Sequence, residues 1–213
     1  MRLRPEEMGR ASVESTRTRL AVLCERVILS ALRFLDWKWI SLPMTKTLSG
    51  AARLSLDEGP CWLVPASGKF TPAAARLADR HYSRRKVGSP QFMPPGETLV
   101  LLTPDEQAVF GWWRPHPASG LRAKNNLDGW TCTIFRNEGP VRSSLLVLLA
   151  ELVLVERSGS CGPDGMLTYV DTRKVRSPNP GCCFLKAGWQ KIGWSADGHK
   201  RLLHKAFDMA GYC

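Results

Sequence analysis

The chain has 213 residues, 44% hydrophobic and 23% charged, enough for one sizeable core plus an appendage. Lysine and arginine number 30 against 19 aspartates and glutamates, giving a formal net charge of +11. The excess favours a polyanionic partner, nucleic acid above all, and the arginines cluster rather than scatter. No apolar run reaches the length of a membrane span: Ala21–Leu35 is broken by Glu25, Arg26 and Arg33, and no signal-peptide cleavage pattern follows.

Residues 1–43 read as an N-terminal extension, with Leu20, Leu23, Val27, Ile28, Ala31 and Leu35 at helical spacing. Pro43 ends it, and Met44 is a second possible start. The compact domain is expected over residues 60–213. Thr71-Pro72 reads as an N-cap and first helical residue, opening a helix Pro72–Tyr82. It runs into His81-Tyr82-Ser83-Arg84-Arg85-Lys86. The Gly/Pro-rich segment 88–96 must be a loop. Glu97–Thr103 and Ala108–Trp113 predict a hairpin, and Trp130–Phe135 a central strand. Val141–Glu156 is an apolar helix. A Gly-rich loop leads to the strand Met166–Asp171. A short helix stopped by Gly188 and a last strand ending at Trp194 complete the order. A central strand, an apolar crossover helix and a further strand predict an α/β fold, a mixed sheet with helices on both faces.

Seven cysteines, Cys24, Cys61, Cys132, Cys161, Cys182, Cys183 and Cys213, form no CxxC pair and no zinc-finger spacing. They read as free thiols, and no metal is expected.

Three places can carry chemistry. His81 and Tyr82 combine a titratable base with a phenol, next to the phosphate-binding cations Arg84, Arg85 and Lys86. The competing reading is a solvated helix end whose cations complement the dipole. Arg136, Asn137, Ser143 and Ser144 surround the exit of the central strand and the start of the long helix, where an anion would bind. Against this, Arg136 pairs with Glu138 and a serine only caps the helix. Asp171, with Tyr169, ends a strand where a carboxylate orients an amine or takes its proton. The bland alternative is a turn cap or a salt bridge to Arg173. Tyr82, Phe92, Trp112 and Trp113 lie beside basic or loop segments and are candidates for holding a base. Trp189 and Trp194 read as core.

From Met166 to Trp194, the order strand, small helix, Gly-aromatic, strand resembles the GCN5-related N-acetyltransferase (GNAT) fold. His-Tyr at the end of the first helix, Arg136 leaving the central strand and Asp171 ending the next resemble, in combination, the Mom family of phage DNA-modification proteins. That resemblance covers roughly residues 60–200. It implies a transferase that converts adenine in duplex DNA to a carbamoylmethylated form and shields the DNA from restriction in the cytoplasm of a bacterial host. It implies His81, Tyr82, Arg136 and Asp171 as catalytic, with Ser143 or Asp164 joining them. Asn137, Ser143 and Ser144 would hold an acyl or aminoacyl donor. Acetyl-coenzyme A is one possible donor, although residues 136–144 lack the Gly-rich phosphate loop of its users. The competing readings are an acyl-coenzyme A-dependent N-acetyltransferase acting on a small amine or protein, and a non-catalytic basic nucleic-acid-binding protein.

Overall fold

The computed structural model describes residues 62–116, 124–175 and 177–206. The expected extension over residues 1–43 lies outside them. One compact unit spans Pro60–Phe207.

Helix α1, Pro72–Asp79, begins where Thr71-Pro72 predicts. Thr71 does not cap it; its hydroxyl donates back to the Gly68 carbonyl at 2.8 Å. The helix stops short of Tyr82 because its last turn tightens. Arg80 N–H donates to Leu77 and His81 N–H to Ala78, which turns His81 and Tyr82 out of the helix. The hairpin follows as β1, Glu97–Leu102, and β2, Ala108–Arg114. Thr103 closes its turn, its Oγ1 accepting the N–H groups of Gln107 at 3.2 Å and Ala108 at 2.9 Å. Then come β3, Trp130–Asn137; α2, Ser143–Ser158; and β4, Met166–Asp171. Helix α2 ends on Gly159 in the left-handed region, whose N–H donates to Val155. The short helix α3, Cys182–Lys186, is followed by Gly188 at φ +87° and by β5, Gln190–Trp194.

A strand absent from the sequence reading, β6 at Lys200–Lys205, completes a six-stranded sheet in the order β1-β2-β3-β4-β6-β5. Among the described strands only β3 and β4 pair in parallel. Strand β6 enters between β4 and β5, so β5 is the edge. Its two apolar residues, Leu202 and Leu203, are adjacent and face opposite sides, so no alternation marks it in the sequence.

Side chains of β1 alternate between two cores. Val100 and Leu102 pack with Ala73, Ala74 and Leu77 of α1 on one face. Leu99 and Leu101 belong to the larger core on the other, with Leu146, Val147, Ala150 and Leu154 of α2 and Phe184 of α3. Helices therefore cover both faces. Trp62 and Trp112 donate their indole N–H groups to the α2 carbonyls of Leu146 and Ala150, at 3.0 and 3.1 Å. Trp112, a candidate for holding a base, is wholly buried and serves the core instead.

The larger core contains an ion pair with no sequence signature. Glu151 of α2 is 1% exposed. Its carboxylate accepts the Trp189 indole N–H at 2.6 Å and the Lys205 ammonium at 2.5 Å, and Lys205 also donates to the Ala187 carbonyl at 2.9 Å. This cluster ties α2 to the end of α3 and to β6.

Candidate active-site cleft

Strands β3 and β4 pair only from Trp130–Cys132 to Met166–Thr168, then part. The last contact is the Thr168 hydroxyl donating to the Cys132 carbonyl at 3.2 Å. A register shift between Gly111 and Trp112 leaves Thr133 as an extra residue on β3. Such a bulge bends the strand that carries it. Gly111 suits the spot, since a Cβ there would come within 2.7 Å of Ile134 and 2.9 Å of Met93. A cleft of about 170 Å³ opens between the parting strands. His81 and Tyr82 line one side, Cys183 and Phe184 of α3 the other, and Cys132–Phe135 and Thr168–Val170 form its strand walls.

The two aromatic rings of the His81-Tyr82 pair lie 4.3 Å apart. Burial pushes the Tyr82 phenol up to about 12, with the neighbouring Asp171 backbone amide acting in the opposite direction. Burial, then the nearby Arg136 charge, lowers His81 to about 4. Both are uncharged at neutral pH. The Ser83 backbone N–H donates to His81 Nδ1 at 3.3 Å, so Nδ1 is an acceptor and the ring proton sits on Nε2. The pair presents two neutral proton donors, where the sequence reading expected His81 to include a base. Burial also raises the thiols, Cys183 to about 11 and Cys132 well above its usual range, so neither is a thiolate at neutral pH.

This electrostatic setting predicts an acid-side loss of stability. As pH falls from 6.5, the unfolded histidine takes up a proton that folded His81 refuses until about 4. Stability present above pH 6.5 is therefore lost progressively as pH falls towards 4. His81→Gln is expected to flatten that part of the curve, as read from urea midpoints across the window.

Arg136 and Asp171 stand on the α1 side of the sheet. Arg136 pairs in register with Val109 of the α1-side core. Asp171 lies on the same side through Tyr169 and Leu167, the latter in register with Thr131. Arg136 donates to Glu138 at 2.6 Å and to the Arg80 carbonyl at 2.6 Å. Arg80 grips the same Glu138 carboxylate through two bonds, at 2.7 and 2.6 Å. The Arg80 and Arg136 hydrogen bonds pull Glu138 down to about 2. Arg136 thus braces the turn that carries His81; the pairing with Glu138 is the plain alternative raised above, and a direct grip on a donor is not what its contacts describe. Asp171 is buried and accepts the Arg173 N–H at 3.1 Å, with the Arg173 guanidinium at 3.6 Å. Burial pushes its carboxyl up, but the Arg173 amide and the charges of Arg173 and Lys174 outweigh that and lower it. It acts as a turn cap whose backbone touches Tyr82.

The remaining candidates divide. Asn137 donates to the Val141 carbonyl at 2.6 Å and to Ser143 Oγ at 3.1 Å, and accepts the Gly139 N–H at 3.0 Å. Its amide is engaged in closing the loop before α2. Ser143 is the first residue of α2 and receives Asn137; the N-cap position belongs to Arg142. Ser144 follows in the same turn, and the loop leaves β3 at the end where the cleft opens. Arg84 is engaged in a similar way. Its side chain is 7% exposed, donates to Asp79 at 2.6 Å and to the Gln91 carbonyl at 3.0 Å, and makes a further bond to the Ser89 carbonyl. It folds the loop after α1. Arg85 and Lys86 are exposed. Asp164 lies at the opposite end of β4 from Asp171 and accepts the Asp128 N–H at 2.6 Å, so it takes no part in the cleft.

Sequence reasoning missed Cys132, Cys183 and Thr168 as cleft residues. No spacing links a strand thiol to one on a short helix; only the parting of β3 and β4 does. A larger hollow of about 350 Å³ lies at the far end of the sheet, lined by Arg114, Trp130 and Arg157 among others. Arg114 is paired there with Asp128 at 2.9 Å, and the buried Trp130 indole N–H has no hydrogen-bond partner among the described residues. That hollow contains no candidate residue. No family model, no curated protein and no solved structure matches the chain.

Proposed function

We propose that this chain is a GNAT-like group transferase that modifies a base of duplex DNA, in the manner of Mom-like adenine carbamoylmethylation. The observation that carries the reading is the placing of His81 and Tyr82, as neutral proton donors, in a cleft between two parting parallel strands. Whole-ligand pockets run to about 300–1,000 Å³. At about 170 Å³ the cleft accommodates the reacting group, with donor and acceptor entering from its ends. The unsatisfied N–H groups at the start of α2 supply an anion site for the donor next to the strand exit.

The acceptor is an exocyclic amine, a poor nucleophile, so holding it against the donor in a water-poor site supplies much of the rate. As the nitrogen–carbon bond forms, the bond from that carbon to the donor's leaving group breaks, the proton lost by the amine ends on the departing group, and negative charge grows on that group as it leaves. The Tyr82 phenol and the His81 N–H are the groups that meet it. Arg136 and Asp171 act through these two, the first by bracing the His81 turn and the second by fixing the Tyr82 hydroxyl. The net charge of +11 accords with a polyanionic substrate.

The test is to digest DNA from cells expressing the protein and measure its nucleosides by mass. An added group on one nucleoside is expected, absent from cells expressing Tyr82→Phe. Unmodified DNA together with acyl transfer to a small amine or protein would replace this reading with the N-acetyltransferase one.

A further inference from the structure

Trp194 reads as a core residue in the sequence, yet it is 46% exposed, and Ile192 beside it is 49% exposed. The Arg201 guanidinium lies 4.3 Å from the centre of the Trp194 ring. The strand end carrying this pair is held rigidly. Asn125 donates to the Trp194 carbonyl at 3.1 Å and accepts the Ala196 N–H at 3.0 Å. In the turn, Ser195 bonds Asp197 at 2.5 Å and receives the Lys200 N–H at 2.9 Å. A large aromatic ring fixed in solvent is not explained by packing, because its face is covered by a cation and not by the core.

The register says where this hairpin stands. Lys200 is opposite Asp171 and Arg201 opposite Val170, while Trp194 is opposite Arg201. Neighbouring strands lie about 4.8 Å apart, so Trp194 is about 10 Å across the sheet from the end of β4. That is the end at which the cleft opens and Asp171 meets Tyr82. Exposed Arg173 and Lys174 follow β4 directly. Lys200 lies with Asp171 on the α1 side of the sheet, while Arg201 and Trp194 lie with Val170 on the α2 side. The acidic groups nearby are engaged: Asp171 caps its turn, and Asp197 accepts from Ser195 and from the His199 N–H at 3.0 Å. The rim that remains is cationic with one aromatic plate.

We propose that the β5–β6 hairpin and the turn after β4 form the seat for duplex DNA, with Trp194 stacking on an exposed base and Lys174, Lys200 and Arg201 on phosphates. This rests on the reading that the cleft acts on a base of DNA. An enzyme reaching a base must unstack it, and an aromatic plate backed by a guanidinium takes the face so exposed. The cations neutralise phosphates without reading sequence. The seat stands at the end of the sheet where the cleft opens, with Trp194 and Arg201 on the α2 side.

The test is a titration of a fluorescently labelled mixed-sequence duplex with the full chain over a series of salt concentrations. Trp194→Ala is expected to weaken binding about tenfold, in line with base–aromatic stacking, and Trp194→Phe to restore most of it. Lys174→Ala with Lys200→Ala is expected to flatten the slope of log affinity against log salt by roughly 0.9 per phosphate contact removed. Unchanged affinity in Trp194→Ala together with an unchanged slope in the lysine variant overturns the seat. So does equal loss in Trp194→Ala and Trp194→Phe with a lowered melting temperature, which marks a structural role, or binding to single strands or RNA alone. Nucleoside masses from the same cells separate the two readings. Modified DNA with normal binding by Trp194→Ala removes the seat only; unmodified DNA with weakened binding by Trp194→Ala removes the transfer reaction only.

Discussion

Lys205→Met is expected to destabilise the fold by about 3–5 kcal/mol, because it leaves the Glu151 carboxylate buried without its counter-charge. At about 2–4 °C per kcal/mol for a chain of this size, the melting temperature should fall by roughly 6–20 °C. The deep burial of Glu151 drives the size of the effect, since an exposed ion pair is worth about 1 kcal/mol or less. Glu151→Leu combined with Lys205→Met should recover much of the loss, as the pair is then replaced by apolar side chains. The residue left over is the Trp189 indole N–H, which loses its acceptor. Thermal and urea melts of the two single variants and the double variant measure the coupling directly. A Lys205→Met protein as stable as the parent contradicts the buried pairing.

Tyr82→Phe is expected to lower the rate of base modification by about 10²–10⁴-fold, the range for losing one positioned proton donor. The change removes only an oxygen from a ring that still stacks on His81, so melting and DNA affinity should stay near those of the parent. With the phenol pushed up to about 12, the donor remains protonated through the neutral and mildly alkaline range. Single-turnover rates between pH 7 and 9 should therefore show no loss from Tyr82 ionisation. A rate for Tyr82→Phe within a few-fold of the parent removes Tyr82 from the chemistry.

Much of the fold was legible locally. The hairpin β1–β2, the strands β3 and β4, the helix α2 and the stop at Gly188 all follow from runs of apolar residues and from turn chemistry. These signals are carried by neighbours in the chain, so no partner is needed to read them. Strand β6 was not legible, because Leu202 and Leu203 are adjacent and their burial comes from β4, β5 and the core they meet. Its insertion set the sheet order, moved β5 to the edge and turned Trp194 from an expected core residue into an exposed one.

The candidate site divides along the same line. Residue type alone marked His81 and Tyr82, since an imidazole beside a phenol at an expected helix end is a visible combination, and the fold lines the cleft with both. Type could not separate a cation that binds a ligand from one that braces a loop. Arg84 and Arg85 are adjacent, yet Arg84 is enclosed by Asp79 and two carbonyls while Arg85 faces solvent. The protonation states of His81 and Tyr82, the opening between β3 and β4 and the pairing of Glu151 with Lys205 depend on burial and on contacts far apart in sequence. The sequence by itself determined the type of every described strand and α-helix except β6, the basic charge and the His-Tyr pair, because these are local properties. Tertiary structure alone decided which groups meet and which are removed from water, because long-range packing sets distance and desolvation.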